Sequence, residues 1–191
     1  MKRGDTKYTP ESGKIELRAA IAEKLSAENN IKCVPEQIVA APGAKFSVFS
    51  AVAALCGPDD EVLILSPFWL SYTEIVKASG AKSVTVPCRI ENGYEPEQKD
   101  IEAAISPKTK LIIINSPSNP TGAVYGKAAL EAIARLAVKN NFMILSDEIY
   151  EKLIYDPSSP HISIASLSPE MRDLVITVNG FSKAFSMTGW R

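Results

Sequence analysis

Lys183 follows closely on an apolar run, Leu174-Val175-Ile176-Thr177-Val178, that is short, β-branched and bounded by Asn179-Gly180. Those are the marks of a buried strand, and in α/β proteins ligands bind just past the carboxyl ends of strands. The neighbours Phe181, Ala184, Phe185 and Met187 carry no charge. An ammonium among them is expected to be partly desolvated, which favours the neutral amine that attacks carbonyls. Lys183 is therefore a candidate Schiff-base lysine; taken alone, it reads more readily as a solvated surface residue.

Other chemistry-bearing residues recur at similar places. Asp147 ends the apolar run Phe142 to Ser146, where a buried carboxylate requires a cation from the fold or from a ligand. Pro42-Gly43-Ala44-Lys45 turns from an extended segment into a helix, so the backbone N–H groups of Gly43, Ala44 and Lys45 can receive a phosphate. This stretch has neither the Walker nor the Rossmann glycine pattern. Asn119 lies in Ser116-Pro117-Ser118-Asn119-Pro120-Thr121-Gly122, a loop stiffened by two prolines, and its amide can donate to a ligand oxygen or simply complete a turn. Trp69, in a strand-exit segment, can stack on a planar ring or pack into the core. His161, the single histidine, reads as a surface-loop residue among Ser158, Ser159, Pro160 and Pro169.

The elements that must position these groups alternate. Helices are predicted over 15–28 (with Leu17, Ile21 and Leu25 on one face), 44–55 (through Phe46, Phe49, Val52 and Leu55), 71–79, 97–105 and 127–140, the last burying Leu130, Ile133, Ala134, Leu136 and Ala137. Strands are predicted over 37–41, 61–65, 81–87, 110–115, 142–146 and 174–178. Such alternation predicts an α/β fold: a mostly parallel sheet with helices on both faces, in one domain.

Bulk properties exclude several classes. A formal net charge of -1 leaves no basic field for nucleic acid or an anionic membrane. Cys33, Cys56 and Cys88 have neither metal nor redox spacing and read as core residues of a reducing compartment. No apolar run approaches membrane-spanning length and no secretory signal follows Met1, so the cytoplasm is the expected location. Gly180-Phe181-Ser182-Lys183-Ala184 approximates a hydrolase nucleophile elbow, but that chemistry needs a histidine after the serine and His161 precedes it.

Taken in order, Tyr8-Thr9-Pro10 with Gly13 and Leu17-Arg18, Pro42-Gly43-Ala44-Lys45, Pro67-Phe68-Trp69-Leu70-Ser71-Tyr72, Asn119-Pro120-Thr121-Gly122, Ser146-Asp147-Glu148-Ile149-Tyr150, Ser182-Lys183 and Met187-Thr188-Gly189-Trp190-Arg191 span nearly the whole chain. With these motifs the chain resembles the large domain of a fold-type I pyridoxal-phosphate enzyme of the aspartate aminotransferase branch. The resemblance implies pyridoxal 5'-phosphate as cofactor, amino acid and 2-oxo acid as substrates, and a homodimer. Lys183 would hold the cofactor aldehyde and act as the proton-moving base. Asp147 would pair with the ring nitrogen, Asn119 and Tyr150 would contact the ring 3′ oxygen, and Trp69 would stack on the ring. Ser182, Arg191 and the backbone around Gly43, Ala44 and Lys45 would grip the phosphate, with Tyr8 reaching the phosphate of the neighbouring subunit. In bacterial members of this branch a lysine placed like Lys45 is associated with a substrate's distal carboxylate, which favours aspartate or glutamate.

The departure is length: similar enzymes run to about twice this size, adding an arm, more sheet and a small domain that carries the usual α-carboxylate arginine. The expectation is a truncated large domain over residues 1–191, well equipped for cofactor and poorly for substrate. A related pyridoxal-phosphate lyase, or a fragment without activity of its own, stays open on the same residues.

Overall fold

The computed structural model describes residues 6–190; Arg191 lies outside the described residues. Among the described residues, five parallel strands form one sheet in the order β2-β1-β3-β4-β5: β1 Glu61–Ser66, β2 Lys82–Pro87, β3 Thr109–Asn115, β4 Met143–Asp147 and β5 Val175–Val178. The chain passes from β1 to β2 on one side and returns to the other side of β1 for β3. At such a reversal the connections leave the carboxyl edge in opposite directions and open a crevice there.

Among the same residues, seven α-helices accompany these strands: α1 Ile15–Asn29, α2 Ala44–Leu55, α3 Ser71–Ala78, α4 Gln98–Ala104, α5 Lys127–Asn140, α6 Pro169–Leu174 and α7 Phe181–Ala184. Alternation along β1, β3 and β4 sends successive side chains to opposite faces, and each face has its own core. Val62, Ile64, Leu111, Ile113 and Leu145 pack with Val48 and Val52 of α2 and Tyr72, Ile75 and Val76 of α3. On the other face Leu63, Leu65, Ile112, Ile114 and Ile144 pack with Ile101 of α4, Leu130 and Ile133 of α5 and Met171 of α6. Burial of each such side chain is worth about 1.5–3 kcal/mol, so the two cores hold the strand ends level.

Several expectations change. No strand forms at 37–41: Pro35–Gln37 is a 3-10 turn, and Ala40 N–H donates to Ser12 O instead of to a strand neighbour. In α2, Phe46 and Phe49 are exposed, and Val48 with Val52 forms the inward stripe. Periodicity phases this helix on its largest apolar residues, whereas the sheet selects the β-branched pair that fits against β4 and β5. Leu17 of α1 is exposed while Leu25 is buried, because only the second half of that helix meets Ile31 and Ala165. The predicted strand at 174–178 is shortened by α6, whose start is capped by Ser168 accepting from Met171 N–H. Cys56 and Cys88 are buried as expected, but Cys33 is only partly so. No described helix is long and apolar enough to cross a membrane.

Candidate active site

The carboxyl ends of β3, β4 and β5 stand in register, Asn115 beside Asp147 and Asp147 beside Val178. Just after β1, β3 and β4 come Trp69, Asn119 and Tyr150, and after β5 comes Lys183 on α7. The start of α2, a helix that packs on β4 and β5, supplies Gly43, Ala44 and Lys45. Most of the residues singled out in the sequence thus lie around one edge.

Two lines of contact converge on Asp147. Along the first, Lys45 Nζ stands 4.9 Å from the Trp69 ring centroid, and Trp69 meets Tyr72 edge-on at 5.3 Å. The Tyr72 hydroxyl then donates to Asp147 Oδ2 at 2.6 Å. Along the second, Lys183 Nζ lies 5.9 Å from the Tyr150 ring centroid, and Asn119 Nδ2 donates to the Tyr150 hydroxyl at 3.4 Å. Asn119 N–H donates to Asn115 Oδ1 at 2.7 Å, and Asn115 Nδ2 donates to Asp147 O at 2.9 Å. Sequence reasoning misses Tyr72 and Asn115 as site residues. Tyr72 reads there as one more aromatic of its motif, and Asn115 as the polar end of an apolar strand; only the packing of α3 on the sheet and the pairing of β3 with β4 reveal what they hold.

Asp147 is 3% exposed. Burial pushes its carboxyl up to about 6, the Tyr72 hydroxyl and the Ile149 N–H pull it back, and the Glu148 charge adds to the rise. The expected cation is not supplied by the described residues, among which Asp147 meets a phenol and a backbone amide. A buried carboxylate so placed suits a positively charged ring nitrogen entering from the strand edge.

The helix start suits an anion. Gly43 has φ 97° and ψ 153°, a conformation open to glycine and strained for other residues, and it turns the chain into α2. The N–H groups of Ala44 and Lys45 begin the helix and point out of its first turn, at the positive end of its dipole. Ser182 is half-buried on α7. The residues present therefore fit a cofactor that combines a phosphate, a flat ring and a basic ring nitrogen.

Three placements differ from expectation. Lys183 is exposed, with Phe181 and Phe185 exposed beside it, so the anticipated apolar shroud around its amine is absent among the described residues. α7 is a single turn at the chain's edge, and none of its residues is buried. Tyr8 is fully exposed, so within this chain it covers none of the other candidates. His161 is no surface residue: its side chain is 11% exposed and its Nε2 lies 2.9 Å from Glu148 Oε2.

Comparison with known proteins follows the same line. The chain matches the family model "Aminotransferase class I and II" over residues 1–191. It is 47% identical over 189 residues to the aspartate/prephenate aminotransferase of Thermus thermophilus, covering 99% of this chain and 48% of that protein. It is also 47% identical to a bifunctional aspartate aminotransferase and glutamate/aspartate-prephenate aminotransferase of Petunia hybrida, covering 100% of this chain and 40% of that one. Among solved structures, the Thermus thermophilus aspartate aminotransferase with maleate superposes with a TM-score of 0.94 at 46% identity, over 100% of this chain and 48% of that one. The aromatic aminotransferase of Pyrococcus horikoshii gives a TM-score of 0.95 at 43% identity, over 100% and 50%. The chain spans about half the length of the relatives it matches.

Proposed function

Because the chain belongs to the class I and II aminotransferases, we propose that residues 1–191 form the cofactor-binding domain of a pyridoxal-phosphate enzyme. That enzyme transfers an amino group between an amino acid, with aspartate or glutamate preferred, and a 2-oxo acid. The observation that carries this reading is Asp147, a buried carboxylate at the end of β4 with a phenol and an amide for partners and no cation among the described residues.

When bound, pyridoxal phosphate supplies an aldehyde that captures amines and a pyridine ring that accepts electron density. Lys183 Nζ would be the amine that holds the cofactor and the base for the substrate α-proton. Asp147 holds the proton of the ring nitrogen. Asn119 and Tyr150, already in contact with each other, bind the ring's 3′ oxygen, with Asn115 fixing Asn119 from behind. Trp69, braced against Tyr72, presents a face for the ring. The Gly43 N–H, expected to serve as well, already donates to Ala41 O at 2.8 Å, so the N–H groups of Ala44 and Lys45, with Ser182 and Arg191, receive the phosphate.

Lys45, exposed above Trp69, is the group for a second substrate carboxylate. The relatives named for aspartate and the relative solved with maleate, a dicarboxylate, support that choice. Tyr8 reaches the phosphate of a second copy, which makes the working unit a homodimer. The enzyme acts in the cytoplasm.

Borohydride reduction of the protein loaded with pyridoxal phosphate tests the reading. The cofactor should be fixed on the peptide containing Lys183, and Lys183→Ala should abolish the label. Fixation on another lysine, or none, sinks the assignment.

A further inference from the structure

The turn that carries Tyr150 is fastened to α1 by both of the residues that follow it. Glu151, whose carboxylate is 5% exposed, pairs with Lys24 Nζ and accepts from Asn29 Nδ2. Lys152 Nζ stands 2.6 Å from Glu28 Oε2. Lys24 and Glu28 lie one turn apart on one face of α1, and their charges run in the opposite order to those of Glu151 and Lys152. The turn therefore has one electrostatic register on the helix, because sliding it would set Lys24 against Lys152 and Glu28 against Glu151. Lys24 has a second role. One Glu151 oxygen lies within 4.8 Å of a Glu148 oxygen and a His161 ring nitrogen, so without the Lys24 cation two buried carboxylates would repel each other and push the turn outward.

Tyr150 depends on that turn, because its own side-chain contacts are loose. Its hydroxyl accepts from Asn119 Nδ2 at 3.4 Å, near the outer limit of a hydrogen bond, and Lys183 Nζ lies 5.9 Å from its ring centroid. Asn119 is held separately, through Asn115 and the prolines of its loop. On the tyrosine side, Glu151 N–H donates to Glu148 O at 3.0 Å and Leu153 N–H to Tyr150 O at 2.8 Å, which joins Tyr150 and the two clamped residues in one turn. Since the Tyr150 oxygen accepts from Asn119, its own hydrogen is left for a third group.

We propose that Lys24 and Glu28 of α1 are positioning residues for Tyr150: through Glu151 and Lys152 they set where its hydroxyl stands relative to Asn119 and Lys183, and so whether it reaches the ring 3′ oxygen. The inference rests on the pyridoxal-phosphate reading above. At a contact of 3.4 Å, a small outward shift of the turn ends the hydrogen bond.

The test follows the visible absorbance of pyridoxal phosphate bound to the 191-residue chain across pH. A hydrogen bond donated to the 3′ oxygen favours its ionised form, so losing it raises the pH at which the absorbance changes. Tyr150→Phe should show that rise in full, and Lys24→Met about half a pH unit of it, about a threefold change in proton affinity. In the Tyr150→Phe background Lys24→Met should add nothing, because the group through which it acts is gone. If Lys24→Met does not fold, Glu28→Lys, at the more exposed pair, must move the midpoint in the same direction and likewise lose its effect without the Tyr150 hydroxyl. A merely structural clamp would lower the thermal midpoint and leave the absorbance midpoint in place, or move it equally with and without that hydroxyl; either result overturns the inference alone. An unmoved midpoint in Tyr150→Phe removes the tyrosine from the ring oxygen, and failure of the unsubstituted chain to bind the cofactor overturns the underlying reading; each takes this inference with it.

Discussion

The Tyr72 hydroxyl donates to Asp147 Oδ2 across 2.6 Å, joining the first turns of α3 to the end of β4 through the buried face of the sheet. Both groups are buried, and the contact changes both. Burial, joined by the Asp147 charge and the hydrogen bond to it, pushes the phenol well above its ordinary range, so Tyr72 remains a donor. Asp147 in turn is drawn toward its ionised form, against a burial that pushes it up to about 6.

Tyr72→Phe should therefore raise the Asp147 carboxyl further above 6 and weaken pyridoxal phosphate at neutral pH. Loss of a hydrogen bond to a charged group costs about 1.5–3 kcal/mol, or about ten- to a hundredfold in affinity. A binding titration across pH should show the acid limb displaced upward; an unmoved limb would refute the role given to Tyr72.

Asp147→Asn should separate stability from function. The folded carboxyl lies above its ordinary value of 3.8, so its contribution to stability is fully present below that value and is lost as pH rises through about 6. The cofactor-free chain should then lose on the order of 3 kcal/mol, relative to the Asp147→Asn variant, between about pH 4 and pH 7. Urea unfolding of both proteins at the two pH values measures the difference, and cofactor should reverse its sign in the unsubstituted chain alone.

Asn115→Ala should loosen the second line of contacts. Asn115 accepts from Asn119 N–H and donates to Asp147 O, so truncation strands two polar groups at about 1–3 kcal/mol each. Cofactor affinity and the thermal midpoint should both fall, and a fully retained affinity would show that Asn119 is held by its prolines alone.

Lys24→Met should destabilise the turn carrying Tyr150. The Glu151 carboxylate is 5% exposed and is paired with Lys24 and Asn29. Burial pushes its carboxyl up, but the hydrogen bonds from Lys24 and Asn29, with the Lys24 charge and Asn179, outweigh it and hold it below the ordinary range. Stability from this group is thus present at neutral pH and lost as pH falls through the depressed folded value. Because Lys24 is itself partly exposed, breaking the pair should cost about 1–3 kcal/mol, less than a fully enclosed pair. Chemical denaturation at neutral pH checks the figure, and the deficit should shrink at acid pH.

Much of this molecule is local, and that part the sequence declared. Leu111 to Ile114 could be little else than a strand buried on both faces, the helix over Lys127–Asn140 carried its own stripe and stop, and motifs placed after strand ends announced a cofactor edge. Tertiary structure decided what depends on residues far apart in the chain. Periodicity counts apolar residues without knowing which surface they will meet, so it grouped Phe46 and Phe49 with Val52, and Leu17 with Leu25, although Phe46, Phe49 and Leu17 stay exposed. It likewise left His161 in solvent, because its partner Glu148 approaches only when β4 and the following loop fold together. Nor could it single out Tyr72, whose hydroxyl meets Asp147 across 75 residues of chain. A hydrogen bond to a buried carboxylate is a property of two positions brought together, and neither carries it alone.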